Sequence, residues 1–361
     1  MPLKIVHCAD LHIGVRSSLL GANSARRSAE VQNGLLSVTR HCREIGADVL
    51  LVAGDLFDIP CPGESETAFV KDCFASIPET QVFIAAGNHD YLTPSSPYTE
   101  QWSDNVHIFN KAECIELPDA RIYGIPFCEP YEAAFSLPRA ARDGKANILL
   151  VHGDIFGGPY NPLTAAALEN TGMDYVALGH VHAYSGILYA GRVCYAYSGS
   201  VEPLGFDEIG EHGVISGTVS AAGANLGFTK LCGRMYREIA VNAGDFAVES
   251  ELLRHLSELI APYKNDMVKI ILNGECAFSP DRERMLAALE NEVFFLRIKN
   301  RTYPKENLEL LRKEQTLKGF FTNKMLNKIE TLSGDEREAA VAALRIGLAA
   351  FAGRGLTVDE D

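Results

Sequence analysis

Five short clusters in this sequence hold side chains that could do chemistry: Asp10/His12, Asp55/Asp58, Asn88/His89/Asp90, His152/Asp154 and His180/His182. Carboxylates, imidazoles and one amide are the donors that borderline divalent cations such as Mn²⁺, Fe²⁺ and Zn²⁺ accept, and no thiolate takes part. His89 can also carry a proton near neutral pH. The donors are too many for one tetrahedral site. Two cations about 4 Å apart need a shared ligand, and Asp55, in a sharp turn after a central strand, is the choice for that bridge. No single cluster says this: His180-x-His182 alone is more often a loop, and Asn88 alone could cap a helix. The ordered set carries the weight.

Each cluster follows a short apolar run, at residues 4–9, 49–53, 82–86, 148–151 and 175–178. Such a run reads as a buried strand, and polar residues at its C-terminal end face a crevice at the sheet edge. Val31, Leu35, Val38, Cys42 and Ile45 recur at helical spacing before Gly46, predicting a helix over 25–45. A second helix over 64–77 carries Val70, Cys73, Phe74 and Ile77 on one side. Strand, helix, strand, helix, strand is the pattern of a parallel sheet with right-handed crossovers. Short strands are expected over 106–126 and a helix over 163–170. The glycine-punctuated β-like runs of 187–241 are expected as hairpins of a second sheet packed on the first.

The texture changes near residues 234–243. We therefore expect a first domain at 1–233, an α+β unit at 234–303 (strand 267–272, helix 281–289, strand 294–299) and a helical region at 304–361. Helices are expected at 317–329 and 336–351, the latter ended by Gly353, before a solvated acidic tail at Asp359-Glu360-Asp361. The composition, 47% hydrophobic and 22% charged, is that of a globular chain and excludes disorder. No apolar run approaches the roughly 18 residues needed to span a bilayer. Nine cysteines, odd in number and scattered without a C-x-x-C pair, argue against a disulfide framework and for reduced thiols in a cytoplasm. A net charge of −14 argues against indiscriminate polyanion binding. Bound cations could still recruit a phosphate.

Asp10-x-His12, Gly54-Asp55, Gly87-Asn88-His89-Asp90, His152 and Gly179-His180-x-His182 together resemble the signature of the calcineurin-like metallophosphoesterases, in its order and over roughly half the chain. The resemblance implies an α/β four-layer fold, two β-sheets flanked by helices. It implies Asp10, His12, Asp55 and His182 around one metal, and Asp55, Asn88, His152 and His180 around the other. His89 would be the general acid, oriented by Asp90, in an in-line attack of a metal-bound hydroxide on a phosphodiester.

Protein Ser/Thr phosphatases carry Arg-Gly after the second motif and Glu in place of Asp90. Gly54 to Asp58 and Gly87 to Asp90 instead look like the SbcD-type DNA repair nuclease subunits, as do Tyr197 to Leu204 and, in pattern, a DNA-capping unit over 267–299. Some members have histidine where this chain has Asp58. That group implies Mn²⁺-dependent exo- and endonuclease activity, a homodimer, and an SbcC-type coiled-coil ATPase docking on the helical C-terminal region. Arg16, Arg26 and Arg27 are candidate DNA contacts, and basic residues between Arg297 and Lys328 offer another basic face. The alternatives are a nucleotide or small-molecule phosphodiesterase and a DNA-end-binding subunit with little turnover; the intact ligand set argues against the last. His7, His41, His107, His212 and His255 are expected to be structural or on the surface.

Overall fold

The runs that read as strands become strands because both of their faces find apolar cover. In the computed structural model, which describes residues 1–351 except 17 and 132–135, the chain divides into two compact units, Met1–Arg237 and Glu238–Asp361. Gly353 and the acidic tail lie outside the described residues. The first unit opens with β1 (Leu3–Cys8), α1 (Ser24–Ile45), β2 (Val49–Ala53), α2 (Glu64–Ala75), β3 (Gln81–Ala85) and β4 (Val106–Phe109). Then come β5 (Glu113–Glu116), β6 (Ala120–Ile125), β7 (Ala146–His152), α3 (Ala165–Glu169) and β8 (Tyr175–Gly179). β9 (Leu188–Ala190), β10 (Val193–Tyr197), β11 (Gly213–Ser220) and β12 (Gly223–Lys230) complete it.

These strands form two six-stranded sheets, ordered β12-β11-β1-β2-β3-β4 and β5-β6-β7-β8-β10-β9. Alternate residues of one strand serve different layers. Leu50 and Val52 of β2 pack with Leu35 and Val38 of α1 and Phe74 of α2, whereas Val49, Leu51 and Ala53 meet Ile148 and Leu150 of the other sheet. Leu149 and Val151 face outward to Leu168 of α3. The result is mixed α/β, two large sheets flanked by helices. α1 stops where expected: Gly46 is left-handed (φ 61°) and returns its N–H to the Arg43 and Cys42 carbonyls.

One placement differs from expectation. The hairpin β11–β12 joins the first sheet, with β11 antiparallel to β1, and only β9 and β10 extend the second. Alternation marks a strand's buried face but carries no address for the edge it pairs with.

In the second unit, β13 (Tyr236–Asn242), which starts two residues before the boundary, is followed by α4 (Glu249–Ile260), β14 (Met267–Asn273), β15 (Glu275–Cys276), α5 (Arg282–Leu289), β16 (Phe295–Asn300) and β17 (Tyr303–Pro304). β14 lies between β13 and β16 and is parallel to β16, with Met267 opposite Phe295. Its core joins Val268, Ile270 and Leu272 to Met285 and Leu289 of α5 and to Leu252, Leu256 and Ile260 of α4. The chain then turns helical through α6 (Leu308–Leu311), α7 (Leu317–Thr331) and α8 (Gly334–Phe351), which share a small core around Ile329, Leu344 and Leu348. Part of the basic stretch here is already engaged: Lys318 pairs with Glu306 at 2.6 Å, and Arg312 bonds Asn327 at 2.8 Å.

Candidate metal centre

Parallel strands that end at one level bring their following turns together. β1, β2 and β3 of the first sheet and β7 and β8 of the second end facing one crevice, and the register that sets His152 opposite Gly179 places His180 next to it. The turns are tight. All five non-glycine residues with positive φ among the described residues lie here: Asp10, His12, Asp55, Asn161 and His180. Left-handed backbone is costly for residues with a Cβ and persists where surrounding structure imposes it, typically at functional sites.

Asp10, His12 and His182 bring ligand atoms within 4.8 Å of one another. His182 Nδ1 lies 2.7 Å from Glu208 Oε1, and His12 Nδ1 lies 3.2 Å from Asp58 Oδ1. The hydrogen bond to Glu208 draws the proton onto His182 Nδ1, and the Asp58 charge favours the same tautomer of His12 without hydrogen-bond geometry, which leaves the Nε2 lone pairs free. Those two Nε2 atoms face each other at 3.1 Å, and His12 Nε2 is 3.8 Å from Asp55 Oδ2. Lone pairs so placed need a positive charge between them. Burial opposes protonation of both rings. Asp58, Asp55 and Asp10 nevertheless raise His12, and Glu208, Asp10 and Asp55 raise His182 to about 9.

The second donor set is Asp55, Asn88, His152 and His180. Asn88 Oδ1 lies 2.9 Å from His152 Nε2 and 3.2 Å from His180 Nδ1, and His152 Nε2 is 3.4 Å from Asp55 Oδ2. His152 Nδ1 donates to the Ala53 carbonyl at 2.9 Å, so its Nε2 also points a lone pair at an oxygen. Asp10 takes the His180 N–H at 3.0 Å. Asp55 Oδ1 accepts the His89 N–H at 2.9 Å, which leaves Oδ2 between the two sets. Burial would push the Asp55 carboxyl up, but His152, His12 and His89 hold it below its ordinary value.

The structure brings all seven expected metal ligands together, and it changes the role of one other expected site residue, Asp90. Asp90 is buried and accepts from the N–H groups of Gly87 (2.7 Å), Leu56 (2.8 Å), Phe57 (3.1 Å) and Asp55 (3.2 Å), and from Tyr98 Oη. Its hydrogen bonds fix the turn carrying Asp55 and do not reach the His89 ring; a carboxylate enclosed by backbone donors has no oxygen left over. Burial and the Asp55 charge raise its carboxyl, against the pull of those donors. The half-exposed His89 ring instead has Nδ1 3.2 Å from the Asp58 carbonyl and stands edge-on to His12 at 4.7 Å.

Arg27, expected at DNA, has its guanidinium buried against Glu202 (2.8 Å), the Pro203 carbonyl (2.8 Å) and Glu30 (3.4 Å). That charge is satisfied inside the fold. Arg26 is exposed and pairs with Glu30 at 3.2 Å, and Arg16 is exposed on the loop after His12. Three residues with work at the site went unrecognised in the sequence: Glu208 behind His182, Tyr98 on Asp90, and Asn161, whose Nδ2 donates to the His152 carbonyl at 2.9 Å. Glu208 follows His182 by 26 positions in no pattern.

Residues 3–184 match the calcineurin-like phosphoesterase family. The metallophosphoesterase YhaO of Bacillus subtilis is 26% identical over 301 residues, covering 75% of this chain and 72% of that protein. The SbcD component of the nuclease SbcCD of Staphylococcus epidermidis is 25% identical over 248 residues, which is 58% of this chain and 64% of its own length. The matched span runs from β1 through the His180-x-His182 turn, so it contains every candidate metal-ligand position just described, and the chain belongs to the calcineurin-like phosphoesterase family.

Proposed function

We propose that this phosphoesterase is a dinuclear, Mn²⁺-dependent phosphodiesterase acting on DNA, the nuclease subunit of a repair complex, with Fe²⁺ or Zn²⁺ as alternative cations. The observation that carries the reading is Asp55 Oδ2, 3.8 Å from His12 Nε2 and 3.4 Å from His152 Nε2, where one oxygen can serve both donor sets. Divalent cations bound there supply Lewis acidity, neutralising phosphate charge and acidifying water.

The chain's own residues supply the rest. Asp10, His12, Asp55 and His182 make one set of ligands; Asp55, Asn88, His152 and His180 make the other. Glu208 and the Ala53 carbonyl fix the tautomers of His182 and His152. His89, at the open side with Nδ1 held by the Asp58 carbonyl, keeps Nε2 to carry a proton to the leaving oxygen.

Resemblance to the nuclease component supports DNA as substrate. We extend the reading to a 1–233 nuclease domain, a 234–303 capping-like domain and a 304–361 region for an SbcC-type coiled-coil ATPase, in a cytoplasmic homodimer. Exposed Leu317 and Phe320 on α7 suit such docking. The described cysteines are all free, and among the described residues no helix is long and apolar enough to cross a membrane.

The test is substrate preference. With Mn²⁺, the purified chain is expected to degrade end-labelled linear duplex and to stop when chelator is added. Faster turnover of cyclic nucleotides or bis(p-nitrophenyl) phosphate, with DNA left intact, would replace DNA by a small diester. Tight DNA binding without cleavage of any diester would make the chain an end-binding subunit.

A further inference from the structure

The loop after β7 is tied at both ends and turns its rings outward. Tyr197 Oη donates to the Gly153 carbonyl at 2.7 Å and accepts the Ile155 N–H at 3.0 Å. Asp154 N–H donates to the Tyr160 carbonyl at 2.8 Å, and Leu163 N–H to the Asp154 carbonyl at 2.9 Å. Between these ties Phe156 stands 82% exposed.

Tyr160 packs on the ring of His180, with centroids 4.8 Å apart and planes 37° apart. Tyr131, from a separate loop and 61% exposed, packs on Tyr160 at 5.5 Å and the same angle. A ladder of three rings thus runs from a metal-ligand position to the surface. Of the three arginines close in sequence to the Asp10-x-His12 turn, Arg27 is buried and Arg26 is paired, which leaves exposed Arg16 for a phosphate backbone on a chain of net charge −14. Stacking on aromatic faces is how proteins hold unpaired bases without reading sequence.

We propose that Tyr131 and Tyr160 form a stacking platform for the unpaired base of a DNA strand end whose phosphodiester lies at Asp55. This rests on the DNA reading above.

The probe is a pair of single-stranded oligodeoxynucleotides with phosphorothioate linkages. One ends in 2-aminopurine and the other in an abasic site, and both are titrated in Ca²⁺ so that affinity is read without turnover. Wild type is expected to bind the base-bearing end roughly 5- to 100-fold more tightly, with quenched 2-aminopurine fluorescence. The ratio should fall toward one in Tyr131→Ala, at an exposed position where folding is not at stake, and persist in Tyr160→Phe. Equal binding of the two ends by wild type, or a ratio unchanged in Tyr131→Ala, overturns the platform even if duplex is still cleaved. Base-dependent binding without any DNA cleavage upholds the platform and fails the nuclease reading alone. No binding of either oligonucleotide overturns the platform, and the nuclease reading then stands or falls on duplex cleavage alone.

Discussion

At the scale of single residues, the ligands are less telling than what holds them. Glu208 has both oxygens committed: Oε1 to His182 Nδ1, and Oε2 to Ser200 Oγ and the Leu204 N–H, each at 3.0 Å. It therefore sets which His182 nitrogen keeps its proton and where the other one points. Glu208→Gln is expected to weaken Mn²⁺ affinity about 10- to 100-fold, read by metal titration, with turnover recovering at saturating metal. His89→Asn should do the opposite, keeping metal content in elemental analysis while kcat falls about 10²- to 10⁴-fold. Wild-type metal affinity in Glu208→Gln would remove it from this role; undiminished kcat in His89→Asn would do the same for the acid. The convergence of the seven candidate donors was legible in the sequence because each follows an apolar run within four positions. Glu208 was not, since a side chain reaching back from a later loop leaves no periodic trace.

At the scale of elements, the site depends on strand ends approaching more closely than side chains permit. A Cβ added to Gly87, just past the end of β3, would lie 2.2 Å from Asp55 Oδ1 and 2.6 Å from the Asp55 nitrogen, so Asp55 would have to move. Gly87→Ala is expected to lower stability by about 1–3 kcal/mol, as overpacking does, and to reduce bound metal. Thermal unfolding with and without Mn²⁺ checks this, and a variant with wild-type melting and metal content would show that the turn yields freely. The same closeness explains why Gly54 and Gly179 stand where they do: a Cβ on the first would lie 2.4 Å from His152 Nδ1, and on the second 1.9 Å from the Ala53 carbonyl oxygen. The central strands were readable because unbroken apolar runs suit burial on both faces. α4 was equally legible, with Leu252, Leu253, Leu256, Leu259 and Ile260 at helical spacing on one core-facing side, although the sequence reading of the second unit lacked it. Where β11–β12 joins was not readable, because pairing depends on which edge β1 leaves free.

At the scale of the first unit as a whole, its two sheets are joined through a titratable group. His7 of β1 is fully buried, and its Nδ1 lies 2.8 Å from Tyr175 Oη on β8 of the opposite sheet. The sequence marked it only as structural or on the surface because it stands outside the motifs, and its place between the sheets needed the register of both. Burial lowers its pKa to about 3, against a smaller opposing pull from the Leu178 backbone. The unfolded chain has an ordinary imidazole near 6.5. Above that pH His7 is neutral in both states and costs nothing. As pH falls below 6.5, the unfolded state takes up a proton that the native state refuses, so stability declines by up to roughly 1.4 kcal/mol per pH unit until the native group titrates near 3. Between pH 7.5 and 5.0 this one residue should remove about 2 kcal/mol. His7→Gln, which can keep a hydrogen bond to Tyr175 but carries no titrating ring, should lose less stability over the same interval by that amount, measured by urea unfolding at the two pH values. Parallel losses in wild type and variant would mean that acid destabilises the unit through its other buried groups, and that the contact between the sheets does not sense pH.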